Sequence, residues 1–310
     1  LKLGGNIVVI GDVMLDVYIS GQAHRLSPEA PVPVVAVESK TSTLGGAGNV
    51  ALNLAHLGCK VWLFGVKGDD VAGKKIVSIL FANGIENRLV TDYNVPTITK
   101  TRVMANSQQL LRFDEEKKSS GSGMLTEING ILEGDVQAVI LSDYDKGILS
   151  SDLVTSIITQ CKAKRIPVFV DPKQSDWSRY KGATLIKPNL AELESAAEEK
   201  AKTPDDIVRL AIKMKCKYNF GSILVTMGPQ GMLLLNIGSP QFVPTRAKEV
   251  FDVSGAGDTV IATMAACVCS DYSISESAQI ANAAAGIVVG KLGTKSITLE
   301  ELKETLEVVC

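Results

Sequence analysis

Asp258 stands directly after Gly255-Ala-Gly257 and directly before an apolar run, 259–269. A glycine turn that runs into a helix lets the backbone approach a ligand closely, and the first helical turn presents unpaired N–H groups toward it. Such a place holds negative charge without a lysine. Asp258 itself reads two ways, as part of an anion-holding site or as one of the acidic residues that favour helix N-termini anyway. Asn189 and Glu192 put an amide and a carboxylate at i and i+3, on one face of a helix start. Thr226, Gly228 and Gly231 follow one short apolar run, and Asp143 and Asp171 close two others. Open α/β sheets bind ligands beyond the carboxyl ends of their strands, so these polar groups point to one shared crevice.

Two further glycine motifs fail on context. Gly68-Asp-Asp-Val-Ala-Gly73-Lys-Lys75 matches the phosphate-binding pattern G-x-x-x-x-G-K, then lacks the Ser or Thr that magnesium requires. Its two aspartates would repel the phosphates. Gly46-Ala-Gly48-Asn-Val-Ala51 fits the dinucleotide fingerprint, but 40–44 reads as a weak strand at best, and no acid closes the next strand near Lys67. A nicotinamide-dependent oxidoreductase would rest on that motif alone.

The elements that must position these groups alternate. Apolar runs at 7–10, 61–66, 138–141, 167–170 and 222–226 read as buried strands. Helical patterns occupy 49–57, 71–83, 151–163, 190–199, 205–215, 258–269 and 275–291. The alternation predicts an α/β fold, a mostly parallel sheet with helices on both faces. Four strand-like stretches at 13–20, 32–37, 97–104 and 109–113 lack intervening helices and read as a small β-sheet lid, formed by segments within 13–38 and 97–115. The polar–apolar alternation of 97–102 suggests a half-exposed antiparallel strand. The stretch 117–123 has linker composition but reads as a surface loop, so 1–310 is taken as a single domain.

Composition removes several classes of function. Lys+Arg total 32 against 34 Asp+Glu, a net of −2, which leaves no basic field for a nucleic-acid backbone. No apolar run approaches the ~20 residues of a membrane span. Cys59, Cys161, Cys216, Cys267, Cys269 and Cys310 form no C-x-x-C pair and read as small core residues in a reducing cytoplasm. His24 and His56 cannot build a histidine-rich metal site.

Together these residues resemble the ribokinase (PfkB) family of carbohydrate kinases. Gly45-Gly-Ala-Gly-Asn49 is similar to its N-terminal signature, and Asp252-Val-Ser-Gly-Ala-Gly-Asp258 to its more specific C-terminal one. Within the family the likeness is greatest to the branch that phosphorylates D-glycero-β-D-manno-heptose 7-phosphate, a step of ADP-heptose and lipopolysaccharide core synthesis. It is carried by Gly11-Asp-Val-Met-Leu-Asp16, Ser27-Pro-Glu-Ala-Pro-Val-Pro-Val-Val35, Thr97-Ile-Thr-Lys-Thr-Arg102, Leu141-Ser-Asp-Tyr144, Asp171-Pro-Lys173 and the tail 281–294. In that branch a nucleotidyltransferase with a paired-histidine motif often follows the kinase. The present sequence lacks that motif, so it reads as a stand-alone kinase or one half of a fusion.

The resemblance implies a ribokinase-like fold, ATP and Mg2+ as cofactors, and a role for each matching residue. Asp258 would accept the proton of the attacking hydroxyl, as a weak base at a helix N-terminus, and the N–H groups of Gly255, Ala256 and Gly257 would meet the transferring charge. Asn189 and Glu192 would organise magnesium through water, and Asp252 a monovalent cation such as K+. Thr226, Gly228 and Gly231 would line the nucleotide, with Asn282 near adenine. Asp12, Asp16, Gly45, Gly46 and Asn49 would hold sugar hydroxyls, with Asp143 and Lys173 completing the substrate set. Another sugar or sugar-phosphate kinase of the family is the alternative, and a sensor that kept the fold without catalysis is a further one.

A substrate that carries its own phosphate needs cations. Lys100 and Arg102, two apart on a strand and so on one face, are candidates with Arg112 and Lys146. A thin four-stranded lid has edges and faces it cannot bury alone, which suggests a homodimer assembled through it.

Overall fold

The computed structural model describes residues 1–106, 108–121, 123–245, 250–291 and 293–307. In chain order the elements begin with β1 (Asn6–Gly11), β2 (Val13–Leu26), β3 (Pro33–Gly46), α1 (Ala47–His56), β4 (Lys60–Lys67), α2 (Val71–Ala82) and β5 (Glu86–Thr91). Then come β6 (Thr99–Ala105), β7 (Gln108–Glu115), α3 (Met124–Leu132), β8 (Ala138–Ser142), α4 (Ser151–Lys164), β9 (Val168–Asp171) and β10 (Leu185–Ile186). The last part holds α5 (Leu190–Ala197), α6 (Pro204–Tyr218), β11 (Ser222–Thr226), β12 (Met232–Leu235), β13 (Gln241–Val243), α7 (Ala256–Cys269), α8 (Ile274–Val288) and α9 (Leu299–Glu307).

The main sheet has nine strands in the order β13-β12-β11-β10-β9-β8-β1-β4-β5, parallel except for β12, which runs antiparallel to both its neighbours. β1 lies between β4 and β8, and Ile7 to Ile10 are fully buried, which is why this strand reads as a continuous apolar run. Ile7 and Val9 belong to the core layer that includes residues of α1, α7 and α8, while Val8 and Ile10 belong to the layer that includes residues of α3, α4 and α6. The two layers follow from the two-residue period of a strand. Helix starts at α4, α5, α6 and α8 are closed by side chains, from Ser150, Asn189, Thr203 and Ser273. α7 begins at Gly255 with no side-chain cap, so its first turn is open to another acceptor.

The lid is a separate sheet in the order β3-β2-β6-β7. β6 pairs with β7 antiparallel, as expected for 97–102, but with β2 in parallel, which corrects that reading on one side of the strand. A parallel partner is available because the chain makes a long excursion through α1, β4, α2 and β5 before it returns. β3 also runs to Gly46, beyond the expected boundary at 38, and takes in the weak strand 40–44 through its pairing with β2. Short or solvent-facing elements escaped the pattern, namely β5, β10, β12, β13, α3 and α9. Cys59, Cys161 and Cys267 are buried as expected, but Cys216 is exposed near the end of α6, and Cys310 lies outside the described residues. The 117–123 stretch is irregular and tied down by Ser119, whose N–H donates to Lys146 O; Ser122 lies outside the described residues. Among the described residues no helix is long and apolar enough to cross a membrane.

Candidate active site

A cavity of about 510 Å³ opens beyond the carboxyl ends of β8 to β11 and is closed opposite them by α7 and α8. Asn189, Glu192, Thr226, Gly228, Gly231 and Asn282 all line it. These are the residues expected around a nucleotide, drawn together from three separate segments. Ala256, Gly257, Asp143 and Lys173 line it as well. Gly231 is needed there for its backbone: at φ +87° a Cβ would sit 2.1 Å from Val243 O.

Asp258 is buried just behind the α7 start. Asn49 Nδ2 donates to its Oδ2 at 2.8 Å, and the Tyr144 hydroxyl donates to its Oδ1 at 2.8 Å. Gly255 (φ +80°) makes the first approach possible, since a Cβ there would lie 2.7 Å from Asn49 Nδ2. Burial, then the charge of Asp171, pushes the Asp258 carboxyl up to about 7, against the pull of Asn49, Tyr144 and Lys187. This overturns the expectation of a weak base at a helix terminus. Desolvation outweighs the helix dipole here. Of the three N–H groups expected to meet charge, that of Ala256 already makes a long 3.3 Å bond to Val253 O.

Lys187, which the sequence did not single out, supplies a buried cation. Its Nζ lies 3.0 Å from Asp171 Oδ1, both residues line the cavity, and a Cβ on Gly257 would stand 3.0 Å from that Nζ. Burial pulls the lysine down, but Asp171 and then Glu192 outweigh it, so the ammonium is held above its ordinary range. Burial raises the Asp171 carboxyl in turn, with Lys187 opposing. Lys187 thus sets its ammonium beside the open start of α7, with Asp171 as its counter-charge.

The Asn189–Glu192 element is a capping box. Asn189 Oδ1 accepts from Glu192 N–H at 2.8 Å, and Glu192 Oε2 accepts from Asn189 N–H at 2.9 Å. Glu192 Oε1 faces Lys173 Nζ at 3.1 Å. The spacing thus has a structural function whatever else it does. Among the described residues no group of three His, Cys, Asp or Glu could hold a metal. A magnesium ion bound mainly by phosphates and water fits one carboxylate and one amide at the cavity wall. Asp252 accepts from Ser254 N–H at 2.8 Å and Gly293 N–H at 3.2 Å, with one oxygen each. Each of its oxygens takes one donor and keeps a further lone pair, and no step is assigned to a monovalent cation.

On the lid side, Asp16 meets Arg102 Nη1 at 2.7 Å and accepts from the Thr294 hydroxyl at 3.1 Å. Gly45 packs on it, for a Cβ there would come within 2.6 Å of Asp16 Oδ2. Asn49 links this side to Asp258. Asp12, by contrast, is wholly buried beneath the crevice: its Oδ2 accepts from Tyr144 and Lys146 N–H, and its Oδ1 has no partner among the described residues. Burial raises its carboxyl to about 6. Asp143 accepts from the Tyr180 hydroxyl, Lys100 and Arg112 are ion-paired with Asp114 of the lid, and Lys146 is ion-paired with Glu116 just beyond it.

The two decoy motifs are explained. Asp70 fills the supposed phosphate loop, accepting from Gly73 N–H and from the Thr97 N–H and hydroxyl. The other motif opens α1, whose residues from Ala47 to Leu54 are buried and whose Ala47 N–H is taken by Asp12 O. No dinucleotide has room there.

Residues 5–301 match the family model described as pfkB family carbohydrate kinase. The chain belongs to the pfkB family of carbohydrate kinases. It is accordingly a phosphotransferase that acts on a sugar hydroxyl. It is 45% identical over 304 residues to the bifunctional protein HldE of Pseudomonas putida (strain GB-1), and 44% identical over 304 residues to that of Vibrio parahaemolyticus. In both matches 97% of this chain aligns with 63% of the relative, so the chain spans less than two thirds of their length. Among solved structures, Arabidopsis thaliana ribokinase complexed with ribose and ATP superposes with a TM-score of 0.81 at 20% identity, covering 98% of this chain and 99% of that one. Phosphofructokinase-2 from Escherichia coli, in complex with substrates and products, gives 0.82 at 19% identity with the same coverage. The fold is ribokinase-like.

Proposed function

We propose that this pfkB-family chain transfers the γ-phosphoryl group of ATP to the anomeric hydroxyl of D-glycero-β-D-manno-heptose 7-phosphate, giving the 1,7-bisphosphate for ADP-heptose and lipopolysaccharide core synthesis. The observation that carries the reading is Asp258, a buried carboxyl raised to about 7, set between the cavity of nucleotide-binding residues and the lid side. The identity to the HldE proteins supports the heptose.

In the proposed step the sugar oxygen attacks the γ-phosphorus, the bond to the bridging β,γ-oxygen breaks, and ADP leaves. Asp258 takes the hydroxyl proton, and it can do so late because phosphoryl transfer is loose. Tyr144 and Asn49 hold its two oxygens until the sugar hydroxyl arrives. Gly257 N–H, the open start of α7 and Lys187 neutralise charge on the transferring group. Asn189 and Glu192 would hold magnesium through water, and the ion would supply charge neutralisation at the phosphates. Asn282, Thr226, Gly228 and Gly231 seat the nucleotide, while Asp16, Gly45 and Asn49 seat the sugar. Asp12 acts by pinning the Tyr144–Lys146 loop from below.

We further read residues 1–310 as one cytoplasmic kinase unit with its lid, paired as a homodimer. The test is a panel of free and phosphorylated sugars in a coupled ADP-release assay. Heptose 7-phosphate should have the highest kcat/KM and free heptose a very low one. Equal turnover of the two removes the substrate assignment.

A further inference from the structure

Two carboxylates knit together three of the cations read as holders of the substrate's phosphate. Asp114 lies 3.0 Å from Lys100 Nζ and 3.0 Å from Arg112 Nε. Glu116 lies 2.6 Å from Lys146 Nζ and 3.6 Å from Lys100 Nζ. Lys100 belongs to lid strand β6, whereas Lys146 belongs to the loop after β8 in the main body. One carboxylate is thus gripped by two ammonium groups, one from each side of the lid–body junction. Alongside, Lys118 pairs with Asp145 at 3.0 Å and Ser119 N–H donates to Lys146 O, so the whole 116–119 stretch is clasped to this loop. Tyr144, which donates to Asp258, stands in the same loop.

The chemistry of the two-lysine seat is that of a phosphate site. Two converging ammonium groups suit an anion with several acceptor oxygens, and charge-assisted bonds to phosphate are stronger than neutral ones. The Lys146 hydrogen bond holds the Glu116 carboxyl below its ordinary range, so Glu116 is an anion throughout the neutral range. Lys100, Arg112 and Lys146 against Asp114 and Glu116 leave a formal charge of +1, from three positive and two negative groups. A phosphate dianion cannot share the seat with a carboxylate without bringing like charges together.

We infer that Glu116 is an internal stand-in for the substrate's phosphate, seated between Lys100 and Lys146 until the incoming phosphate displaces it. The inference rests on the proposed sugar-phosphate substrate and makes Glu116 a specificity-determining residue. A sugar without a phosphate has nothing with which to displace the carboxylate, so the lysines stay occupied and the clasp stays shut. A phosphorylated sugar brings close to two charges and takes the lysines over. Displacing a half-exposed ion pair of this kind weakens apparent binding by about two- to fivefold.

The experiment measures inorganic phosphate as a competitor of the sugar phosphate at saturating ATP, and its direct binding by calorimetry with the nucleotide cavity filled by a non-hydrolysable ATP analogue. Wild type, Glu116→Gln and Glu116→Asp are compared. The Gln variant should bind phosphate about two- to fivefold tighter and show a matching fall in KM for the sugar phosphate, with kcat and the KM for ATP unchanged. The gain should shrink as salt screens the lysines. Glu116→Asp keeps the charge and should stay near wild type, which separates charge competition from a merely structural loss. Phosphate affinity that is unchanged or weaker in the Gln variant, or Gln and Asp variants that shift alike, would overturn the inference. If a different sugar phosphate proves to be the better substrate, the heptose assignment falls while the phosphate affinities still decide the role of Glu116.

Discussion

Replacing Asp258 by Asn should nearly abolish activity and, above neutral pH, stabilise the protein. The Asp258 carboxyl rises from 3.8 to about 7 on folding, chiefly through burial and then through the Asp171 charge. An acid whose pKa is raised in the fold holds its proton more tightly there, so stability falls as pH climbs from 3.8 through 7 and then levels. At about 1.4 kcal/mol per unit, three units amount to roughly 4 kcal/mol of destabilisation at pH 8. Asn carries no charge and escapes that cost. It also loses one good hydrogen bond, since Asn49 and Tyr144 both donate to Asp258 and an amide offers only one acceptor oxygen. That loss takes back about 1–3 kcal/mol. The net gain at pH 8 is about 1–3 kcal/mol, or several degrees in Tm. Melting curves of both proteins from pH 5 to 8.5 test this: the difference in Tm should grow up to about pH 7 and then flatten. In the same preparations kcat should fall by about 10²–10⁴. Wild-type kcat/KM should rise with pH around 7, as Asp258 loses its proton. A variant less stable than wild type at pH 8, or a Tm difference that ignores pH, would refute the burial argument; retention of half the wild-type kcat would refute the base.

Three other outcomes follow from the same geometry. Glu192→Gln should shift the magnesium titration midpoint upward at fixed ATP while leaving sugar binding alone; an unmoved midpoint sinks the metal role. Lys187→Met breaks a buried ion pair and should cost about 3–5 kcal/mol in denaturant unfolding. Adding Asp171→Asn should restore most of that stability but not kcat, and recovery of both would make Lys187 purely structural. The lid exposes Leu111 and Phe113, two apart on one face of β7, a strand exposed along its whole length. Sedimentation at micromolar concentration should therefore show a dimer that Phe113→Lys weakens, and a wild-type monomer would contradict the lid interface.

How far the sequence reveals the site depends on what fixes each residue. Groups at the ends of long apolar runs are legible, because burial on both faces writes an unbroken pattern into β1, β8 and β11, and the polar residue that ends it stands out. Lys187 is not, because its strand β10 is only Leu185-Ile186, too short to carry any period. The lid was legible for a different reason, from strand-like stretches without intervening helices and the alternation of 97–102, but neither encodes the parallel pairing of β2 with β6 or the full length of β3. Asn189 and Glu192 show a different limit, since one spacing suits both a helix cap and the proposed metal-organising pair, and only the geometry shows that the cap is formed. The basicity of Asp258 lies furthest from the sequence. A helix start predicts a weakened base, whereas the fold buries the carboxyl and brings Asp171 and Lys187 beside it from the ends of separate strands. Local sequence sets the dipole, and tertiary packing sets the desolvation. With the second term larger, the raised pKa of Asp258 belongs to the folded sheet rather than to the motif. The same burial that would suit Asp258 to the proposed role of base makes it costly to keep ionised, so activity and stability should move in opposite directions at this residue.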